Sequence, residues 1–276
     1  MKRSPLATAG LYGTVVIVCA ALLFPIYWML MTALSPANRL HTYPPTFVPP
    51  NPQWNVFWDI LQNQPFGTWV VNTLLISLAT MILSLTFAIL AAYALSRHRL
   101  RGGTGLGLFI LTAKMLPATL LVIPLFAIFK SLGLIGSPWS VVIAMSTMIV
   151  PFATWMLKGY FDTIPVELEH AALVDGCSPL AIIFRIILPV AAPGVAATAL
   201  YSFVISWSDF LFGRTFLVQS ESRWTVSMGI AAMKGEFTTD WNVIMAASLM
   251  ATVPIIIVFL VLERYLVGGL AAGAEK

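Results

Sequence analysis

Six separate apolar stretches constrain the fold of this chain more than any other feature of its sequence. They are Leu11–Thr32, Val70–Leu95, Gly105–Phe129, Trp139–Leu157, Val190–Phe212 and Val243–Val267. A helix needs about 20 predominantly apolar residues to cross the hydrocarbon core of a bilayer, and each stretch is close to that length or above it. The sequence therefore predicts an all-α polytopic membrane protein with six transmembrane helices.

The scarcity of charged residues excludes other classes of protein. Of the 276 residues, 59% are hydrophobic and only 9% are charged, whereas a soluble domain carries about 25% charged residues. Because these few charges are spread along the whole chain, a peripheral or single-span protein is also disfavoured. The formal net charge of +4 is typical of the Lys and Arg that gather in cytoplasmic loops. It therefore predicts contact with membrane lipid and no nucleic-acid partner.

Most of the apolar stretches contain proline, which removes a helical hydrogen bond. The prolines are Pro25, Pro117, Pro124, Pro151, Pro193 and Pro254. A helix bundle tolerates them because neighbouring helices satisfy the freed backbone groups. Kinked helices favour a moving or cavity-lining bundle over a plain membrane anchor.

The distribution of Lys and Arg among the connections predicts the orientation of the chain. With a cytoplasmic N-terminus, nine cations lie inside: Lys2, Arg3, Arg97, Arg99, Arg101, Lys158, Arg185, Arg264 and Lys276. Five lie outside: Arg39, Lys130, Arg214, Arg223 and Lys234. Cytoplasmic loops carry the excess of positive charge, so both termini are predicted to be cytoplasmic.

Two outer loops, at about 33–69 and 213–242, are each predicted to contain a short helix. In the first loop, Trp54, Phe57, Trp58 and Leu61 recur on one face of a helix, which favours a helix at the membrane interface. In the second loop, the segment WTVSMGIAAM is too short to span and predicts a helix over the mouth of the bundle. Both loops belong to a single predicted domain, 1–276.

A cytoplasmic loop, at about 162–189, contains the compact polar stretch ELEHAALVDG. Pro165 suits the start of a helix, and Glu167 and Glu169 follow where the helix dipole favours negative charge. Gly176 fits the position just after the helix, where a positive φ is needed. The stretch therefore predicts a short polar helix that stops at a glycine.

A second short helix is predicted after this glycine. Ser178 can cap its N-terminus and Pro179 can occupy its first turn, and Pro189 marks the entry to the fifth span. In the polar helix itself, Leu168, Ala171, Ala172 and Asp175 fall on one face. This face fits insertion into a cleft of a partner, and a solvated amphipathic connector is the alternative.

The loop resembles the cytoplasmic loop of ABC-importer permeases, whose pattern is Glu-Ala-Ala, three residues, Gly, nine residues, Ile-x-Leu-Pro. Ala171 and Ala172, Gly176 and residues 186–189 keep every spacing of that pattern, and Asp175 matches its usual form. His170 stands where the first Glu of the pattern belongs, and Glu169 is one residue out of register.

Other segments extend this resemblance to most of the chain. FPIYWMLMTALSP, MLPATLLVIPLFAIFKSLGL, SWSDFLFGRTFL and ERYLVGGLAAGAEK are similar to the smaller six-span permease of maltose-type carbohydrate importers. The resemblance implies the type I ABC importer permease fold in a bacterial or archaeal inner membrane. It also implies that the polar helix is a coupling helix, and that the loop residues which contact an ATPase are Glu167, Glu169, His170, Ala171, Ala172, Asp175, Gly176 and Pro189.

The same resemblance implies several partners. They are a second, different permease, two ATPase subunits that bind ATP and Mg, and an extracytoplasmic sugar-binding protein. The chain has no G-x-x-x-x-G-K-[ST] segment, which is the usual phosphate-binding loop. We therefore expect that this chain does not itself bind ATP. Nothing else in its sequence predicts another cofactor, a metal site or a catalytic residue.

Five residues are candidates for the substrate pathway, each with a structural alternative. Lys114 is expected midway through the third span, where a cation is costly unless it faces protein or water; the alternative is a structural ion pair or a bond to backbone carbonyls near Pro117. Trp207 and Phe210 can stack on a sugar ring or simply pack. Asp209 borders the pathway by resemblance, and Asn72 can instead form an interhelical hydrogen bond.

Two other functions remain open from the sequence. A secondary transporter or channel that works without ATP would require acids or broken helices at mid-membrane. An intramembrane enzyme would require a nucleophile and a base, or metal ligands, at depth. The three histidines, His41, His98 and His170, are all predicted to lie in loops, which disfavours the enzyme.

Overall fold

A computed structural model describes residues 5–273, apart from 41, 44–45, 99–102 and 236–238. The α-helices are α1 (Pro5–Leu34), α2 (Asn55–Asn63), α3 (Phe66–Arg97), α4 (Gly103–Ala113), α5 (Ala118–Ser131), α6 (Pro138–Asp162), α7 (Glu167–Val174), α8 (Pro179–Ile182), α9 (Leu188–Val190), α10 (Ala192–Trp207), α11 (Leu211–Phe216), α12 (Val226–Ala232) and α13 (Trp241–Gly273). A π-helix, Ile183–Ile187, joins α8 to α9. No strand occurs among the described residues, so the predicted all-α class is confirmed.

Four helices, α1, α3, α6 and α13, are each long and apolar enough to cross a membrane. Two helix pairs pass the same test but are sharply bent: α4 with α5 at 86°, and the run Pro179–Val190 with α10 at 87°. When each bent pair counts as one span, the described residues contain six spans by length and composition. This is the predicted number.

The third predicted span is not one continuous helix, because it breaks between Ala113 and Ala118. Pro117 has an extended backbone, with φ −61° and ψ 134°, and a proline disfavours the helical region for the residue before it. The amides of residues 114, 115 and 116 therefore bond to carbonyls three residues back, at 2.9–3.2 Å. As a result Lys114 lies at a helix break.

The fifth predicted span, Val190–Phe212, is also divided. Its central helix, α10, begins at Ala192 with Pro193 in the first turn and ends at Trp207, and α11 begins at Leu211. Of the other predicted kink prolines, Pro25, Pro124, Pro151 and Pro254 lie inside helices. A proline in a helix interior removes one hydrogen bond, whereas one in the first turn removes none.

Contacts group the chain into two units. The first consists of residues 1–66 and 229–253, and within it Val56 and Ile60 of α2 are buried while Trp54, Trp58 and Leu61 are exposed. The predicted short helix of the first outer loop is thus confirmed. Its interfacial position and the single domain 1–276 stay predictions.

The second unit consists of residues 67–228 and 254–276. Within it, α6 is the most enclosed of the long apolar helices, because 61% of its most apolar 18-residue segment is buried. It packs against α4, α5, α10 and α11. The largest fully buried side chains of this unit are Phe161, Phe203, Phe212 and Phe216. Helix α12 is the short helix predicted within residues 213–242, and its position over the mouth of the bundle stays a prediction.

Helices α1 and α13 leave most of their apolar surface uncovered by the chain itself. In α1, none of the most apolar 18-residue segment is buried, and in α13 only 17% of that segment is buried. Large exposed apolar surfaces occur where a protein meets lipid or another subunit. This pattern agrees with a polytopic membrane protein.

Candidate functional site

The polar helix α7 begins and ends as its sequence predicts. Glu167 and Glu169 lie in its first turn, and Gly176 has φ +80°. The amide of Gly176 donates to the Leu173 carbonyl at 3.1 Å, and the amide of Cys177 donates to the Ala172 carbonyl at 2.9 Å. This is the Schellman arrangement, in which a left-handed residue satisfies the last carbonyls of a helix.

The second short helix also has its predicted cap. The Ser178 hydroxyl accepts a hydrogen bond from the Ala181 amide at 3.3 Å, and Pro179 is the first helical residue. A π-helix follows, and Pro189 lies in α9 just before the bend into α10. The loop therefore consists of consecutive short helices and is not an irregular connector.

The side chains of α7 divide into an outer and an inner set. Glu169 and Ala172 are buried, at 6% and 4% exposed. The others are exposed: Glu167, Leu168, His170, Ala171, Leu173 and Val174, followed by Asp175 and Gly176. Ala172, which shares a face with Leu168 and Ala171 in the sequence and is implied by the resemblance to contact an ATPase, instead packs into the core of its own chain.

The buried Glu169 is held by two side chains of α3. Arg97 Nε donates to Glu169 Oε1, and the Tyr93 hydroxyl donates to Glu169 Oε2 at 2.8 Å. The Arg97 and Glu169 side chains are only 8% and 7% exposed. Both carboxylate oxygens of Glu169, for which the resemblance implies an ATPase contact, therefore have a partner within the chain instead.

Arg97 also binds the segment that precedes α7. Its Nη2 donates to the Ile164 carbonyl at 3.0 Å, and its Nη1 donates to the Ser96 hydroxyl at 3.2 Å. The planar guanidinium makes these bonds at once because its donors form a fixed fork. One side chain thus ties the end of α3 to both α7 and the linker before it.

A second ionic contact lies beside the first. The Ser96 hydroxyl donates to Asp162 Oδ1, and Lys158 Nζ donates to Asp162 Oδ2, each at 2.6 Å. These bonds join the end of α3 to the last turn of α6. The Lys158 and Asp162 side chains are 30% and 44% exposed, so this pair is more accessible to water than the Arg97–Glu169 pair.

Sequence reasoning missed the roles of Arg97 and Tyr93. It counted Arg97 only as a cytoplasmic charge, and it did not consider Tyr93. The spacing of four residues places the two side chains on one face of α3, which is a local signal. The partner Glu169 lies 72 residues away from Arg97, and no local pattern indicates such a pair.

Of the candidate pathway residues, Lys114 lies where a ligand could reach it. It is half-buried, and its Nζ is 3.4 Å from the Met148 carbonyl and 5.7 Å from the centre of the Tyr201 ring. Lys114 and Asp209 line the same cavity, of about 310 Å³. Lys114 thus bonds to a backbone carbonyl of α6 rather than to one near Pro117, and its side chain also borders open space.

Asp209 and Trp207 have structural partners. Asp209 Oδ2 accepts from the Gly213 amide at 2.8 Å and Oδ1 accepts from the Phe212 amide at 3.3 Å, so it caps α11. Trp207 is 4% exposed and stacks on Phe203 with ring centroids 5.5 Å apart. Phe210, by contrast, is 44% exposed.

Asn72 fixes a segment of the second outer loop. Its Nδ2 donates to the carbonyls of Ser222 and Trp224, at 2.9 and 3.0 Å. The neighbouring Thr73 hydroxyl accepts from the Val226 amide at 2.8 Å. The expected interhelical bond is therefore a bond from α3 to the outer loop.

Comparison with known proteins gives a consistent result. The family described as "Binding-protein-dependent transport system inner membrane component" matches residues 84–271. The chain is 37% identical over 279 residues to the inner membrane ABC transporter permease protein YcjP of Escherichia coli (strain K12), covering 100% of this chain and 99% of that protein. It is 31% identical to the diacetylchitobiose uptake system permease protein DasC of Streptomyces coelicolor, over the full length of both.

A solved structure shares the fold. A chain of a bacterial ABC transporter involved in the import of the acidic polysaccharide alginate superposes with a TM-score of 0.78 at 22% identity. The superposition covers 96% of this chain and 99% of that one. Likeness at this level of identity concerns the fold, which is that of type I ABC importer permeases.

Proposed function

Because the chain belongs to the family of binding-protein-dependent transport system inner membrane components, we propose that it is the membrane permease of an ATP-driven carbohydrate importer. The observation that carries this is the family match over 84–271, which includes the whole polar loop. The full-length similarity to a diacetylchitobiose permease supports a carbohydrate as the substrate.

In this proposal the exposed side of α7 is the coupling surface. Its outward residues include Glu167, His170 and Ala171, which combine charge with small size and fit a cleft on an ATPase subunit. ATP and Mg bind on that separate subunit. Closure of the ATPase pair moves α7, and the spans change from inward to outward access in response.

The remaining partners follow from the type of transporter. The chain pairs with a second, different permease, and this pair binds two ATPase subunits. An extracytoplasmic sugar-binding protein delivers the substrate to it. Both termini and the α7 loop are then cytoplasmic. The uncovered apolar surface of α1 fits contact with the second permease or with lipid.

Substrate passes along a path that includes the cavity beside Lys114. The ammonium of Lys114 can donate hydrogen bonds to sugar hydroxyl groups, and the exposed ring of Phe210, outside the lining of that cavity, offers an apolar face for stacking. A secondary transporter or channel is not favoured, because a full-length relative is an ABC transporter permease and the chain has the fold of a solved ABC transporter chain.

The proposal is tested by uptake in proteoliposomes that contain this permease, its partner permease and the ATPase subunits. A panel of labelled mono- to trisaccharides is offered with the binding protein outside and ATP inside. We expect uptake of at least one sugar, which stops when ATP is replaced by a non-hydrolysable analogue and continues when ionophores collapse ion gradients. Uptake that persists without the ATPase subunits would establish a secondary transporter instead.

A further inference from the structure

The buried acid of α7 has a different environment from every other charged group on that helix. Glu167 and His170 are exposed, whereas Glu169 is 6% exposed and has a partner on each carboxylate oxygen. A buried carboxylate without such partners would be strongly unfavourable. Glu169 is therefore an attachment point for α7 within the chain.

The attachment joins α7 to a membrane-spanning helix without any flexible segment between them. Tyr93, Ser96 and Arg97 all lie in the last turns of α3, which is 32 residues long. A displacement of α7 is therefore transmitted directly to the end of α3.

The end of α6 joins the same cluster. Ser96 receives a bond from Arg97 and donates one to Asp162, which is also bound by Lys158. Arg97 in addition binds the Ile164 carbonyl, in the linker between α6 and α7. Helices α3, α6 and α7 therefore meet at one hydrogen-bonded cluster, which we name the α3 clamp: Tyr93, Ser96, Arg97, Asp162 and Glu169. Lys158 pairs with Asp162 from outside this cluster.

We propose that Arg97 and Tyr93 are positioning residues for energy coupling, which lock α7 to α3 so that both move as one body when the ATPase subunits push on α7. This proposal rests on the proposed function. It divides the polar helix into two roles: the exposed residues contact the ATPase, and the buried Glu169 anchors the helix to the span that must move.

The first test measures whether α7 and α3 move together. Spin labels are placed at Val166→Cys, the N-cap residue just before α7, and at Leu90→Cys in α3, each 43% exposed, after Cys19→Ser and Cys177→Ala remove the native thiols. Distances between the labels are recorded in the assembled transporter without nucleotide and in its ATP-bound state. We expect one narrow distribution that is the same in both states.

The second test loosens the α3 clamp in graded steps. Arg97→Lys keeps the positive charge but loses the branched guanidinium that donates to Glu169, Ser96 and Ile164 at once. Tyr93→Phe removes only the hydroxyl that donates to Glu169. We expect Arg97→Lys to broaden the distance distribution and to lower the sugar transported per ATP hydrolysed by about tenfold, as expected from the loss of one buried charge-assisted hydrogen bond. Tyr93→Phe should give a smaller loss, and ATPase subunits should co-purify with both variants.

The matched control is Lys158→Gln, which removes the more exposed ion pair and leaves both partners of Glu169 in place. We expect its distance distribution and its coupling to equal those of the unaltered chain within about twofold, since exposed pairs contribute little. If Arg97→Lys fails to assemble, Tyr93→Phe still decides the result.

Two outcomes would overturn the proposal. In the first, the label distance in the unaltered chain changes between the two nucleotide states, so that α7 moves independently of α3. In the second, Arg97→Lys or Tyr93→Phe assembles with unchanged distances and unchanged coupling. Failure of the proposed function is a separate result, because it removes ATP-dependent uptake from the unaltered transporter.

Discussion

Gly194, in the first turn of α10, lies directly against the aromatic ring of Tyr160 in α6. A Cβ added to Gly194 would meet three ring atoms of Tyr160, the farthest of them at 2.7 Å. These atoms are at the base of the ring, near the backbone of α6, and cannot move away as a flexible chain end would. The absence of a side chain at Gly194 therefore allows α10 to pack on α6.

The first prediction concerns this contact. Gly194→Ala should lower the free energy of unfolding by about 1–3 kcal/mol, because overpacking costs that much and exceeds the gain in helix propensity. The matched control is Gly159→Ala, also in a helix, where an added Cβ meets nothing within 4 Å. That variant should be neutral or slightly stabilised. Thermal unfolding in detergent measures both, and equal stability of the two would contradict the packing argument.

A second prediction separates capping from substrate contact at Asp209. Asp209→Ala should cost about 1 kcal/mol because it removes the cap of α11, whereas Asp209→Asn keeps an acceptor and should retain both stability and transport. Ser208→Ala, at the exposed neighbouring position, serves as the control. Loss of transport in a stable Asp209→Asn protein would instead show that the carboxylate acts on the substrate.

Asn72 gives a third prediction. Asn72→Ala removes the donor that binds the Ser222 and Trp224 carbonyls, and it should lower the free energy of unfolding by about 1–2 kcal/mol. Asn38→Ala, at an exposed position, should have no measurable effect. The relative uptake of different sugars should stay the same in both variants. Altered preference among sugars in Asn72→Ala would place this side chain in the substrate path.

The end of α7 at Gly176 supplies a fourth prediction. Gly176→Ala should cost about 1–2 kcal/mol, because the left-handed region is unfavourable for a residue with a Cβ. Gly176→Asn should be better tolerated, since Asn also occurs at this position of helix ends. In thermal unfolding, the unaltered chain should be the most stable, Gly176→Asn intermediate and Gly176→Ala the least stable. The reverse order of Asn and Ala would argue against the left-handed conformation.

The fifth prediction addresses the departure from the family pattern at His170. His170→Glu should retain ATP-dependent uptake, because the side chain is exposed and an acid is favourable in the N-terminal half of a helix. Uptake in proteoliposomes and co-purification of the ATPase subunits measure the effect. A stable His170→Glu permease that no longer binds its ATPase would indicate a cleft adapted to histidine.

Some features could be predicted from the sequence because they depend on neighbouring residues. Six apolar stretches set the number of spans, since bilayer thickness fixes the length of a crossing helix. The stop at Gly176 and the Ser178 cap are likewise local, because each depends on backbone conformation and hydrogen bonds within a few residues.

The functional environment of particular side chains was decided by the tertiary structure. Glu169 and His170 are adjacent in the chain, yet one is buried against Arg97 and the other is exposed. Periodicity could not show this, because whether an acid is solvated or paired depends on which residues a distant helix brings to it. The same holds for Asn72, whose two acceptors lie 150 and 152 residues away. Local interactions thus specified the helices, and long-range packing specified which of their polar groups hold the bundle together.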